Sequence, residues 1–368
     1  MALSQATAAW EWDKSGYWND RQRTLCSGGG QTLIKYETVT GFFLQDQPDT
    51  DSKKFDYAKN NFGLMNRTYE TDARFDPSGV KTQWQRFAYY VNTLNQEADP
   101  RTQYKVLFMG RHGEGYHNAA ESYYGTPAWN CYYAELDGNG TVTWADARVT
   151  EAGAAEAVKA HNFWASQLAA QGQPAIQSYY TSPLTRCLQT ANLTFSGLDL
   201  PAESPFVPTV KEFLREDISI HTCDRRSSKT YIQTSFPTFK IEAGFTELDE
   251  LWRGTEGEPE AAQAIRSKAL LDDIFSHDDN TWLSFTSHSG QIRSILSVLG
   301  HRSFSLSTGQ VIPVLVKAQN FRNETATTTS VAWEAEATCH SPPVTSLSNG
   351  GCVCSSTTVA TNTATATP

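Results

Sequence analysis

"YKVLFMGRHGEGYHN" (residues 104–118) decides how the rest of the chain is read. Val106, Leu107, Phe108 and Met109 form an apolar run of the length and content of a buried strand. The run stops at Gly110-Arg111-His112-Gly113, and Gly115, His117 and Asn118 follow at once. A guanidinium and an imidazole side by side are costly at the end of a buried strand unless they have a task there. In open α/β sheets the carboxyl ends of the strands are where ligands gather.

Working outward, strands alternate with helices. "TEAGAAEAVKAHNFWASQLAAQG" (150–172) is an alanine-rich helix with Gly172 as its stop. "AIQSYYTS" (175–182) is a strand that leads through Pro183 into the helix "PLTRCLQTANLTF". "EPEAAQAIRSKALLDDIFSH" (258–277) is a further helix, "TWLSFTSH" (281–288) a strand, and "SGQIRSILSVLGH" the helix after it. "VIPVLVKAQ" (311–319) is a last strand, expected near a sheet edge because of Pro313. This alternation predicts an α/β fold, a three-layer sandwich with a mainly parallel central sheet.

Residues 1–100 are aromatic and polar and are expected to form an extension packed on that core. They contain Gly28-Gly29-Gly30, a short strand in "YETVTGFFLQD" (36–46), an irregular stretch at 55–66 and a helix over 82–96. Residues 101–337 are the α/β core, and 338–368 form a Ser/Thr-rich tail too poor in apolar residues to fold.

The 368 residues are 39% hydrophobic and 19% charged, enough for a large core, and no apolar run approaches the ~20 residues of a membrane span. A net charge of −10 argues against nucleic acid and acidic membranes as partners, but not against a small anion held by a few focused arginines. The first ten residues lack a basic region followed by an apolar one, as a secretory signal would show, so either the protein stays inside the cell or a leader has been removed. The seven cysteines are odd in number and scattered, which suits a reducing compartment, so a cytoplasmic location is expected. Cys352 and Cys354 are a close pair without the second pair that a closed zinc site needs. Without secretion, the sequons at Asn66, Asn139, Asn192 and Asn323 carry no meaning.

Four segments deliver polar groups to the sheet edge: Arg111-His112, then Ser182-Pro183-Leu184-Thr185-Arg186, then "VPTVKEFLRED" (207–217), then Thr286-Ser287-His288-Ser289-Gly290. Singly each is weak, since a lone histidine after a strand is more often structural. Together, two arginines, two histidines and a carboxyl group match phosphoryl transfer without a metal or cofactor. Arginines fork onto phosphate oxygens, an imidazole attacks phosphorus, and a carboxylic acid protonates the departing oxygen. The arginines would also hold the nucleophile neutral, and N–H groups opening the helix at Gly290 would add to the anion site. Glu212, Glu216 and Asp217 are all candidates for the acid. His117 has an equally plain reading as a polar loop residue, while His161, His221, His277, His301 and His340 are read as structural or surface groups.

"RHGEGYHN", "SPLTR", "LRE" and "SHSGQIR", in this order over about residues 104–319, resemble the histidine phosphatase superfamily, the phosphoglycerate mutase-like fold. The aromatic N-terminal region and "TCDRRS" (222–227) resemble its fungal phosphomutase-like branch. The resemblance implies His112 as the nucleophile, Arg111 and Arg186 as phosphate ligands, and His288 as the second pocket histidine. It selects Glu216 as the acid, places Asn118 at a position that contacts phosphate, and lets Arg225 and Arg226 reach the rest of the substrate. The acid phosphatase branch, with RHG-x-R-x-P and a His-Asp pair, is disfavoured by RHGEGYH and His-Ser here. The expected activity is hydrolysis of a small phosphorylated metabolite. The alternatives are a phosphomutase, or an isomerase or lyase of specialised metabolism that reuses the anion pocket. Oligomeric state is not legible.

Overall fold

The structure is a computed structural model that describes residues 31–323, 331–343 and 352–354. The glycine triplet 28–30, Cys26, and residues 344–351 and 355–368 of the expected tail lie outside the described residues. The strands are β1 (Gln31–Thr38), β2 (Thr102–Arg111), β3 (Ser178–Thr181), β4 (Thr209–Val210), β5 (Lys240–Ile241), β6 (Glu256–Gly257), β7 (Trp282–Ser287), β8 (Val311–Asn323) and β9 (Glu334–Ala335). The helices are α1 (Asp72–Phe75), α2 (Gln83–Glu97), α3 (Tyr116–Tyr124), α4 (Thr126–Cys131), α5 (Glu151–Ser166), α6 (Thr185–Phe195), α7 (Lys229–Ser235), α8 (Glu260–His277) and α9 (Ser289–Val298).

Among the described residues, seven strands make one sheet in the order β1-β8-β2-β7-β3-β4-β5, and β6 pairs with β9. From β2 to β5 every pairing is parallel, and β8 runs antiparallel between β1 and β2. Alternation along β2 assigns the two faces. Leu107 and Met109 pack with Leu270, Ile274, Ile292 and Ile295 of α8 and α9. Val106 and Phe108 pack with Trp84, Phe87 and Trp164 of α2 and α5. Both faces are therefore covered, as parallel strands require.

The expected helix at 82–96 is α2, capped reciprocally by Thr82 and Gln85. The helix expected over 150–172 ends its α-helical part at Ser166, widens over Gln167–Gln171, and closes at Gly172 with φ of 58°. The first strand lies earlier than expected, at 31–38, where Ile34, Tyr36 and Thr38 are buried and alternate with exposed Leu33, Lys35 and Glu37. Pro313 corrects the position of the last strand. β8 is interior, but β1 pairs only with residues 316–323, so Pro313 faces a neighbour on the β2 side alone. Its missing N–H costs no ladder bond on the open side.

Residues 42–91 join the aromatic cluster of the α2 face instead of forming a separate core. Phe62 sits in its middle with φ of 56°, a left-handed backbone that a bulky residue adopts only when its surroundings hold it there. Phe108, Phe163 and Trp164 rings surround it at 5.3, 4.7 and 4.7 Å.

Candidate active site

The parallel register of β2 with β7 pairs Arg111 with Ser287, so His112 and His288 leave adjacent strand ends together. The His112 N–H donates to Ser287 O at 2.9 Å, and the two rings stand 5.0 Å apart. Both side chains are buried, 1% and 0% exposed. His112 Nδ1 lies 2.7 Å from Gly113 O, which only an Nδ1–H can satisfy. That fixes the neutral tautomer and leaves the Nε2 lone pair for chemistry.

Arg186 reaches the same place from the first turn of α6. Its Nε donates to His288 Nδ1 at 3.3 Å, its Nη1 to Cys223 O at 2.6 Å, and its Nη2 meets Asp224 Oδ1 at 3.4 Å. Since Nδ1 of His288 accepts, its Nε2 carries the proton and donates to Ser182 Oγ at 2.8 Å. Arg111 donates from Nη1 to Leu306 O at 2.9 Å, while its Nε is buried without a partner. An orphaned buried donor on a guanidinium is the kind of group an incoming anion satisfies.

Among the three candidate acids, tertiary partners discriminate. Glu212 is taken up by Arg215 at 3.0 Å and Arg226 at 2.8 Å. Glu216 accepts from the Gln291 N–H at 2.9 Å and from Ser289 Oγ at 3.4 Å, at the start of α9. Gly290 makes this approach possible: a Cβ there would collide with Glu216 Oε1 and sit 2.6 Å from Asp217 Oδ1. The helix opening after His288 thus gives the Gln291 N–H to Glu216 instead of leaving it for a substrate anion. Arg266 of α8 secures the loop from behind by donating to the carbonyls of Phe213, Arg215 and Glu216.

Arg226 also needs correction. It is 4% exposed, and its donors go to Glu212, Thr246, Leu248 and Ser227, with its guanidinium over the Phe245 ring at 4.1 Å. It is a scaffold residue with no reach to a substrate. Arg225 pairs with Asp137 at 2.7 Å and lies over Trp252 at 5.0 Å, partly exposed. Asn118 accepts from the Gly115 N–H at 3.0 Å and so shapes the turn entering α3. His117 is not a plain loop residue: its ring stands 5.4 Å from that of His112, and its Nδ1 is buried without a partner.

Burial is the main force that lowers the pKa of His112, His117 and His288 well below the ordinary range, with the Arg186 charge second in each. The neutral nucleophile expected from arginine neighbours is therefore produced first by desolvation. Asp217 moves the other way: burial, then the Glu216 charge, raise it well above the carboxylate range. Asp217 is also hydrogen-bonded to Glu216, so the two carboxyls form a pair in which the protonated form of Asp217 is favoured.

Sequence reasoning missed Asp146. Its backbone has φ of 40°, and its carboxylate accepts from Thr185 N at 2.8 Å, Thr185 Oγ1 at 2.7 Å and Ser227 N at 3.0 Å. It caps α6 just ahead of Arg186, and no local motif marks it. His221, Cys223 and Asp224 place ligand atoms within 4.8 Å of one another. Asp224, however, serves Arg186 and takes a 2.6 Å hydrogen bond from Ser219, and burial raises the Cys223 thiol. Cys352 and Cys354 offer no zinc ligands because each is in a disulfide, Cys131–Cys352 and Cys339–Cys354.

An α/β sheet whose carboxyl edge gathers buried imidazoles, two guanidiniums and a carboxyl pair is of the phosphoglycerate mutase-like fold. The chain belongs to the histidine phosphatase superfamily, in its fungal phosphomutase-like branch. Residues 133–313 match the family described as "Histidine phosphatase superfamily (branch 1)". The chain is 53% identical over 286 residues to a "Probable phosphoglycerate mutase" of Arthroderma benhamiae, covering 78% of this chain and 85% of that one. It is 34% identical over 294 residues to "Phosphomutase-like protein 3" of Candida albicans, covering 80% and 83%. Among solved structures it is similar to phosphoglycerate mutase from Bacillus anthracis, with 16% identity and a TM-score of 0.37 over 58% of this chain and 89% of that one.

Proposed function

We propose that the protein hydrolyses a small phosphate monoester through a phosphohistidine at His112, without a metal. The observation that carries this reading is the fixed tautomer of a buried His112 whose Nε2 makes no hydrogen bond to the described residues. The Nε2 lone pair forms a bond to phosphorus as the ester P–O bond breaks, and the departing oxygen takes its proton from the Glu216–Asp217 pair. Arg111, Arg186 and His288 offset the charge on the phosphoryl oxygens. Water then attacks phosphorus and breaks the P–N bond, giving its proton back to the carboxyl pair, which restores the starting state. Burial shifts His112 down and Asp217 up, each toward the uncharged form that its step requires.

The relatives' names favour a second reading, transfer of the same phosphoryl group to another hydroxyl instead of water. One experiment separates the readings: a panel of phosphorylated metabolites is assayed for phosphate release with wild type, His112→Ala and Glu216→Ala. Release by wild type alone supports hydrolysis. A labelled phosphoenzyme that only a second metabolite discharges supports the mutase. Turnover of an unphosphorylated substrate with no phosphoenzyme would sink both.

A further inference from the structure

Four of the described cysteines are paired. Cys131–Cys352 joins positions 221 residues apart, and Cys339–Cys354 closes a 15-residue separation. The paired segment is also seated by non-covalent contacts. The Cys339 N–H donates to Cys131 O at 2.8 Å, β9 pairs with β6, and Arg253 lies 4.6 Å over the Trp333 ring. Gly257 has no Cβ where Glu336 approaches. The geometry is that of a strap bound to α4 by one disulfide and closed on itself by the other, and such bonds persist in oxidising compartments and not under a glutathione-buffered thiol pool. The unpaired Cys187 and Cys223 fit the same setting: both are buried, and burial raises both thiols, so neither presents the thiolate that disulfide exchange needs.

That setting gives meaning to the Asn-x-Thr sequons. Asn66, Asn139 and Asn192 are all exposed. Asn139 stands on a turn closed by the Gly138–Thr143 bridge; its Oδ1 accepts from Thr141 N and Val142 N, while its Nδ2 projects to the exposed Tyr124 hydroxyl. Asn66 and Thr68 are both open to solvent, and Asn192 points outward from α6 while its sequon partner Thr194 is 6% exposed.

We propose that this chain carries N-linked glycans at Asn66, Asn139 and Asn192 and acquires them in the oxidising compartment that forms its disulfides. At each site the Asn Nδ2 bonds to the anomeric carbon of an oligosaccharide carried on a polyprenyl diphosphate. The diphosphate departs and the amide proton goes to solvent. Each disulfide forms as two thiols lose two protons and two electrons to a disulfide-bearing oxidoreductase. Thr194 is out of reach once α6 packs, so Asn192 is modified during synthesis. The cytoplasmic expectation rested on the first ten residues and on the number and scatter of the cysteines, and the latter cannot reveal that folding brings four of them together.

The test uses protein purified from its own source, digested without reductant, with and without peptide N-glycosidase in heavy-oxygen water. Labelled aspartate at positions 66, 139 and 192, together with peptides cross-linked through Cys131–Cys352 and Cys339–Cys354, is the expected result. Unmodified asparagine at all three positions overturns the proposal, whether or not the disulfides are found. An Asn139→Gln variant from the same source migrates faster by one glycan and releases phosphate at the parent rate. Unchanged migration overturns the assignment of Asn139.

Discussion

The edge formed by β2 and β7 and the loop from Glu212 to Arg226 both carry charged groups, yet they behave differently. At the edge, position and task coincide: His112 and His288 are neighbours because Arg111 and Ser287 are register partners. In the loop, Glu212, Arg215, Glu216, Asp217, Arg225 and Arg226 look alike on paper and divide into scaffold and chemistry only through their partners. Arg215 is fully buried, held by Asp249 at 2.6 Å and by Glu212. Arg226 is spent on Glu212 and four carbonyls, whereas Glu216 and Asp217 are left together over Gly290. A charged residue's role is set by the hydrogen-bonding capacity that remains after folding.

The sharpest way to break that contrast is His112→Ala. Phosphoryl transfer should fall by about 10³-fold or more with the circular dichroism unchanged, and retention of a labelled phosphoenzyme would refute the edge assignment. Glu216→Gln should lower kcat by about 10²–10⁴-fold on an alkyl phosphate. The loss should be far smaller on an aryl phosphate whose leaving group needs no proton, and equal losses on both would return Glu216 to the scaffold. Arg226→Met should cost up to about 3 kcal/mol of stability, because it leaves the half-buried Glu212 carboxylate with one partner fewer. Denaturant melts would report this, and KM should hold; a raised KM with unchanged stability would restore the substrate role expected from sequence.

The smallest effect is expected at the strap. Burial first, and the Glu336 charge second, push Glu135 up to about 7. A carboxyl raised in the folded state stabilises fully below its unfolded pKa of 4.5, and this contribution is lost as pH rises towards 7. Glu135→Gln should therefore raise the melting temperature at pH 8 and change it little at pH 4.5. The buried histidines have the opposite sign. With pKa values lowered from 6.5, their contribution is present above that pH and is lost as pH falls below it.

Much of the fold was legible because periodicity is local. The alternation of β2, α5, β3, α6, α8, β7 and α9 could be followed along the chain, and so could the four polar endings. β1 was placed too late because its strict alternation at 31–38 lies before the more aromatic stretch that drew the strand assignment. Pro313 suggested an edge strand because sequence cannot show that β1 stops pairing at residue 316. Asp146 and His117 were missed or undervalued because neither belongs to a short pattern: one acts as a cap from a distant loop, the other through a 5.4 Å approach to His112.

By itself, the sequence determined the order of elements, the parallel sheet, and which residue types stand at the ends of its strands. These follow from local periodicity and from the rule that polar groups in a buried strand must lie where the strand ends. Tertiary structure alone decided which carboxyls lie together, which arginines are used up inside, and which cysteines pair. Those outcomes depend on distances between atoms remote in the chain, and pairing energies act through space rather than along it.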